Sequence, residues 1–278
     1  VDFSAKGANC LVMNPKTGEI LAMAQAPTFD LNNIPRDNLD ELYSMAKNSM
    51  ISNVYEPGST FKILTTAIGL EENTYPDSHR FYCNGSRIVD GKRIKCWRSI
   101  GHGSQTFAEG VCNSCNCVFM DIATKVGTKT MYDYLKKFGI NQKTGVDLVG
   151  EGKGIMLNES IVKNVDLARI GFGQAVAVTP IGLCSAVSSC INGGYKVTPY
   201  ILNNITDSNF GVVQGNSPKL GGRVISNATS EKVKEMLYGV VEQGSGKYAY
   251  IPGYKIGGKT GTAQKYENGV IARGKYVS

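Results

Sequence analysis

Residues 53–73 read NVYEPGSTFKILTTAIGLEEN, and the parsing of that stretch decides the fold. Pro57-Gly58 is a turn signal. After it, apolar residues at Phe61, Ile63, Leu64, Ala67, Ile68 and Leu70 recur on more than one face of a helix, so the pattern predicts a deeply buried helix from Ser59 to about Glu72. Its first turn holds Ser59-Thr60-Phe61-Lys62, a serine with a lysine three residues on. The same spacing occurs at Ser44–Lys47 and Ser160–Lys163. A chain of this length holds about one such match by chance, so spacing alone selects none of them.

Chemistry separates the three. A nucleophilic serine needs a base within reach and donors ready for the oxyanion. In the first turn of a helix, residues i and i+3 share a face, which sets the Lys62 amine beside the Ser59 hydroxyl. Free backbone N–H groups and the positive end of the helix dipole lie there too. Burial disfavours the charged lysine and prepares a neutral base. Ser44 falls within a polar helical segment that lacks both features. Ser160, after Asn158-Glu159, fits a helix N-cap. Ser59 is the candidate nucleophile and Lys62 its base.

Lys-Thr-Gly also occurs three times. Lys16-Thr17-Gly18 belongs to a hairpin turn, and Lys143-Thr144-Gly145 to a loop before VDLVG. Only Lys259-Thr260-Gly261 lies in a strand-like stretch, GYKIGGKTGTAQKY (253–266), behind two glycines that let another backbone or a ligand approach. Ser-x-Asn occurs once, as Ser114-Cys115-Asn116, between two helical patterns.

The rest of the chain supplies a frame. CLVMNPKTGEILAMA (10–24) reads as a β-hairpin around Pro-Lys-Thr-Gly, and FYCNGSRIVDGKRIKCW (81–97) as a second around Asp-Gly. Helical patterns cover about 37–50, 105–126, 129–138, 161–170, 179–192 and 229–243. GKYVS begins a strand at the end of the sequence. Strands at both ends with helices between predict an α+β fold whose first and last strands share a sheet.

The 278 residues, 42% hydrophobic and 19% charged, suffice for one large domain or two small ones. No 18-residue apolar run is present, so no membrane span is expected. The sequence starts at Val1 without an initiator methionine or leader and reads as an excised piece. The net charge of +7 is spread without a dense Lys/Arg block; it fits a solvated basic surface or an anionic wall or membrane partner, and nothing marks a nucleic-acid partner. Cys10, Cys184 and Cys190 lie in apolar segments and are expected in the core. Cys83, Cys96, Cys112, Cys115 and Cys117 crowd together with His79 and His102, which calls for a metal or redox explanation.

Ser-x-x-Lys, Ser-x-Asn and Lys-Thr-Gly in this order resemble the motif set of penicillin-binding proteins and class A β-lactamases. NPKTGEILAMAQAPTFDLN, YEPGSTFK, GFGQAVAVTPIGL, INGGYKVTPY and GGKTGTAQKY narrow the resemblance to class B penicillin-binding proteins of the division and sporulation branch, from about residue 8 to 278. It implies a serine D,D-transpeptidase domain, an antiparallel sheet flanked by helices beside an all-helical lobe. In such a domain Ser59 attacks the penultimate D-alanine carbonyl of a peptidoglycan stem peptide, and an amine of a neighbouring strand completes the cross-link. Lys62 would be the base, Ser114 a proton relay and Asn116 a binder of the substrate amide. Lys259 and Thr260, with Gly261, would hold the carboxylate end, and the N–H groups of Ser59 and Thr262 the oxyanion. The resemblance further implies acylation by β-lactam antibiotics, a membrane-anchored glycosyltransferase partner for the parent protein, and a site of action on the extracytoplasmic face of the bacterial membrane.

Cysteine in the middle of Ser-x-Asn departs from class A β-lactamases, and LNES (157–160) has its acid on the wrong side of the Leu-Asn pair for their deacylating loop. The family continues past KYVS into further strands and a closing helix, so a C-terminally incomplete single domain over 1–278 is expected. A β-lactam-hydrolysing enzyme or sensor, and an inert wall-synthesis scaffold, are the rival readings. For the cysteine cluster, Cys83, Cys96, His102 and Cys115 form a set with x12, x5 and x12 spacing that suits a closed structural zinc site, and some family members resemble it. Cys112 is the alternative fourth ligand, with Cys117 and His79 assigned to packing or surface. If Ser114–Asn116 is extended, Ser114 and Asn116 face the cleft and Cys115 points behind it. A Cys96–Cys115 disulfide and free thiols are the other possibilities.

Overall fold

The computed structural model describes residues 5–267 and 270–278. The first hairpin pairs β1 (Ala8–Met13) with β2 (Ile20–Ala26), antiparallel. Two short helices follow, the surface helix α1 (Leu39–Ala46), capped by Asn38 and without a buried residue, and α2 (Ser49–Ser52), which buries Met50 and Ile51. The Pro57-Gly58 turn leads into a 3-10 turn over Gly58–Phe61 and then α3 (Lys62–Glu71). Every residue of α3 from Lys62 to Gly69 is buried, as its multi-faced apolar pattern requires.

The second hairpin is β4 (Ser86–Val89) with β5 (Lys92–Lys95), turning at Asp90 and Gly91, both at positive φ as a type I′ turn demands. Flanking it, β3 (Phe81–Cys83) pairs with β6 (Gly103–Gln105). This puts Cys83 opposite Gly103 and carries the 96–102 loop back across the hairpin base. The helical stretch predicted at 105–126 is two helices, α4 (Phe107–Cys112) and α5 (Asn116–Val126), broken at residues 113–115. Then come α6 (Thr128–Lys137), β7 (Ile155–Met156), α7 (Asn164–Ile170), β8 (Val176–Ala177) and α8 (Pro180–Ile191). The remainder is β9 (Tyr195–Val197), β10 (Asn204–Thr206), β11 (Val212–Gly215), β12 (Leu220–Arg223), α9 (Asn227–Glu242), β13 (Ala263–Glu267) and β14 (Val270–Val277).

One core wraps α3: Phe61, Leu64, Ala67 and Ile68 pack with Met131, Leu135 and Phe138 of the α6 region, Leu167 and Ile170 of α7, and Val233 and Leu237 of α9. A second lies behind the 113–115 break, where Phe81, Ile94, Val118, Phe119 and Val240 meet four cysteines. Phe61 anchors the Gly58–Phe61 turn in the first of these cores. No helix among the described residues is long and apolar enough to cross a membrane.

The α+β class holds, with four corrections of detail. No ladder among the described residues joins the first and last strands: β1 bonds to β2, and β13 to β14. A hairpin satisfies its inner row of backbone groups locally, so terminal strands need not meet. The 253–266 stretch becomes a strand only from Ala263; before it, Gly257 and Gly258 lie against α9, with Gly258 N–H bonded to the Leu237 carbonyl at 3.0 Å. Ser160 is not a cap; it lies inside a 3-10 turn over Glu159–Ile161 that Asn158 caps, accepting from both the Ser160 N–H and hydroxyl. Cys10 is exposed on its two-stranded ribbon and Cys184 half-buried, whereas Cys190 is fully buried in the core.

Candidate active site

Ser59 lies in the 3-10 turn, and Lys62, which ends that turn, gives its backbone N–H to the Ser59 carbonyl. The turn is gripped from two sides. Gly58 N–H donates to the Gly173 carbonyl at 3.0 Å, and Glu56 accepts from the Ala175 N–H at 3.0 Å. Gly173 has φ +83°, and a Cβ there would collide with the Gly58 carbonyl. From the opposite side, a Cβ on Gly261 would come within 2.7 Å of Thr60 Cγ2, so glycine in Lys-Thr-Gly lets that segment lie on the serine turn.

Ser114 reaches the same place through the break between α4 and α5. Thr106 opens α4 with a capping box to Glu109, and the helix closes with Ser114 N–H bonded to the Val111 carbonyl at 3.1 Å. Ser114 has φ +52°, so the segment is left-handed there rather than extended; Cys115 is the extended residue. The expected division of faces still results. Ser114 and Asn116 turn to Lys62, and Cys115 is fully buried behind them.

Lys62 has no solvent exposure. Its Nζ donates to the Ser114 carbonyl at 2.7 Å, to Asn116 Oδ1 at 2.7 Å and lies 3.1 Å from Ser114 Oγ. It also lies 5.2 Å from the centre of the Phe119 ring. Burial, then the Lys259 charge, pulls its pKa well below the usual lysine range, against a smaller opposite pull from the cysteines. Among the described residues no hydrogen bond joins Lys62 Nζ to Ser59 Oγ, so the amine's partners are in the Ser114 segment, not the hydroxyl beside which the sequence placed it.

Across the cleft, Lys259 Nζ donates to the Thr260 carbonyl at 3.0 Å, and Thr260 Oγ1 lies 3.1 Å from Ser245 Oγ. Burial lowers the Lys259 pKa to about 8. The structure thus brings Ser59, Lys62, Ser114, Asn116 and the 259–262 segment together around one turn. Sequence reasoning missed three participants. Ser245 was hidden in a loop, the Lys95 carbonyl accepts from Asn116 Nδ2 at 3.3 Å, and the Trp97 indole N–H points to the Asn113 and Ser114 carbonyls, each at 3.1 Å. The only available signal was a tryptophan adjoining Cys96.

Behind the Ser114 segment, the sulfurs of Cys83, Cys96, Cys115 and Cys117 all lie within 4.8 Å of one another, and all four residues are buried. Cys117 replaces His102 in the set expected from spacing. It occupies the first turn of α5, where its sulfur comes 3.4 Å from that of Cys83 on β3. His102 stands outside, its Nδ1 3.7 Å from the Cys96 sulfur and its ring edge-on to Trp97. Cys112, at the end of α4, is outside the group as well. His79 stacks on Tyr75, as a packing residue does. Within the group, hydrogen bonds from Cys115 and Cys117 favour the Cys96 thiolate, while Cys115 is pushed up to about 12 and Cys117 is raised further.

Residues 8–276 match the family model described as penicillin binding protein transpeptidase domain. The chain belongs to this family. Among curated relatives, Stage V sporulation protein D of Bacillus subtilis is 42% identical over 280 residues, covering 99% of this chain and 42% of that protein. Peptidoglycan D,D-transpeptidase MrdA of Acinetobacter baumannii is 31% identical, over 95% of this chain and 42% of its own length. The chain therefore spans less than half the length of these relatives. Penicillin binding protein 3 of Mycobacterium tuberculosis, solved with aztreonam, superimposes with a TM-score of 0.85 at 29% identity, over 98% of this chain and 61% of that one. The match places this penicillin-binding protein domain in the class B, division and sporulation type that its motifs indicated.

Proposed function

We propose that this domain is a serine D,D-transpeptidase that cross-links peptidoglycan stem peptides and is acylated by β-lactams. The observation that carries the reading is the buried Lys62 amine, three residues from Ser59 and bonded to Ser114 and Asn116. A lysine so desolvated is readily neutral, and a neutral amine can take the Ser59 proton as Oγ attacks the penultimate D-alanine carbonyl. The C–N bond to the terminal D-alanine then breaks, and that amine leaves with a proton passed from Lys62 through the Ser114 hydroxyl. An acceptor amine attacks the acyl-enzyme, returns its proton along the same path and releases Ser59. The backbone N–H groups of Ser59 and Thr262 hold the oxyanion, each worth roughly two to three orders of magnitude in rate. Lys259 and Thr260 receive the carboxylate. Asn116 binds the substrate amide with Nδ2, exchanging its bond to Lys95 for one to substrate.

The relatives' printed names support this reading: peptidoglycan D,D-transpeptidase for one, and a complex with aztreonam for another. A domain that cross-links stem peptides would act on the extracytoplasmic face of the membrane, and a membrane-anchored glycosyltransferase that makes the strands would be its partner. Intact-mass spectrometry with a penicillin, on the polypeptide that contains this domain, tests the reading. One adduct is expected on Ser59, absent in Ser59→Ala and retained in Ser44→Ala and Ser160→Ala. Labelling that survives Ser59→Ala overturns it, and rapid release of hydrolysed penicillin would favour a hydrolase.

We further infer a structural zinc ion at the cysteines. Zn–S bonds of about 2.3 Å set tetrahedral sulfur–sulfur edges near 3.8 Å, which four sulfurs within 4.8 Å of one another accommodate. Cys83, Cys96, Cys115 and Cys117 would hold it. It would supply positive charge that lets all four ionise, and would tie β3 and the 96–102 loop to the Ser114 segment.

A further inference from the structure

We propose that Trp97 is a positioning residue for Ser114, its indole N–H holding the main chain that presents the Ser114 hydroxyl to Lys62. This rests on the serine transpeptidase reading and deepens it. Trp97 is the one tryptophan of the chain and is 63% exposed, yet its N–H is not given to solvent. It reaches the carbonyls of Asn113 and Ser114, both at 3.1 Å.

Those carbonyls belong to the most constrained segment of the site. A serine at φ +52° sits in the left-handed region, strained for a side-chain-bearing residue, and persists only where its surroundings over-determine it. Two donors share the Ser114 carbonyl, Lys62 Nζ at 2.7 Å and the Trp97 indole. They are not equivalent. The lysine exchanges protons in the proposed cycle, so its hydrogen bonds change during turnover. The indole donor keeps its proton throughout and holds the carbonyl while the lysine changes state.

Trp97 is itself held. Its ring meets His102 edge-on with centroids 5.2 Å apart, and Cys96 beside it is locked into the buried sulfur group. The same loop supplies the Lys95 carbonyl to Asn116 at 3.3 Å. Residues 95–97 therefore contact both ends of Ser114-Cys115-Asn116. In this arrangement Ser114 orientation is imposed from outside the cleft, by a residue that does not touch the reacting atoms.

The test is acylation kinetics of the polypeptide containing this domain with a fluorescent penicillin, resolved into binding constant and acylation rate constant. Trp97→Phe keeps a ring against His102 and removes the N–H. The acylation rate constant should fall about tenfold, the effect of one lost hydrogen bond, with binding unchanged. In a Ser114→Ala background the same substitution should cost nothing further, because its effect runs through Ser114. Trp97→Tyr gives the same comparison should the phenylalanine variant not fold. An unchanged rate overturns the proposal. So does weaker binding at an unchanged rate, which would make Trp97 a substrate wall, or an equal loss in the Ser114→Ala background, which would make it general support. Failure of the unsubstituted protein to label at Ser59 overturns the serine reading and this proposal with it.

Discussion

Lys62 and Ser114 are 52 positions apart in sequence, and the lysine Nζ lies 2.7 Å from the serine carbonyl and 3.1 Å from its hydroxyl. The proposed base is thereby bonded to the proposed proton relay rather than to the proposed nucleophile three residues before it. A buried amine with three oxygen partners is oriented before substrate arrives, which removes reorganisation from the acylation step.

Lys62→Arg tests the base directly. Arginine keeps the positive charge but stays protonated at any working pH, and its fork does not fit a site that holds a single nitrogen. Acylation should fall at least about a hundredfold, the lower range for loss of a general base. Stopped-flow acylation checks it; a near-normal rate would reduce Lys62 to an electrostatic role.

The pH profile should have a falling limb set by Lys259. A lysine is cationic below its pKa, and burial brings this one down to about 8, so the charge that receives the substrate carboxylate is lost as pH rises through that value. The apparent second-order acylation constant should drop above about pH 8, and Lys259→Arg should move the drop upward. The rising limb belongs to Lys62, which must lose its proton to act as base. A fall at the same pH in Lys259→Arg would reassign the limb.

Zinc retention distinguishes the thiol set from the one expected by spacing. Protein purified without a polyhistidine tag should carry about one equivalent by elemental analysis, lost in Cys117→Ser and kept in His102→Ala. Chelation should lower the melting temperature, since the ion would tie three separate segments. Retention in Cys117→Ser with loss in His102→Ala would restore the histidine as a ligand, and less than a tenth of an equivalent would remove the metal.

Gly173→Ala should damage the serine turn from a residue that touches no substrate. A Cβ at φ +83° costs about 1–2 kcal/mol from backbone alone, before the collision with the Gly58 carbonyl. Urea denaturation should show a loss of at least about 2 kcal/mol, together with slower acylation at Ser59. Wild-type stability and rate would mean that the two loops can separate.

Much of this was written locally. The buried helix after Pro57-Gly58, the Asp90-Gly91 hairpin and the later helical stretches follow from periods and turn residues that act within a few positions. Choosing Ser59 over Ser44 and Ser160 rested on the helix start and on burial; in the structure α1 buries no residue, and the Ser160 N–H and hydroxyl both bond to Asn158. The bond between Lys62 and Ser114, the left-handed serine that makes it, and the Trp97 clamp were not readable, because each depends on the α4–α5 break docking against a distant loop.

The cysteines separate the two kinds of information most clearly. Spacing alone suggested Cys83, Cys96 and Cys115 as a set with His102, since a hairpin could bring the first two together and an extended Ser-x-Asn segment would turn Cys115 behind the cleft. Only the tertiary structure decided the fourth. Cys117 lies two residues past Cys115 on the first turn of α5, and whether its sulfur meets Cys83 depends on how that helix rotates against β3. That rotation is set by the burial of Val118, Phe119 and Ile122 in the core behind the 113–115 break, a sum of many long-range contacts that no spacing of cysteines encodes.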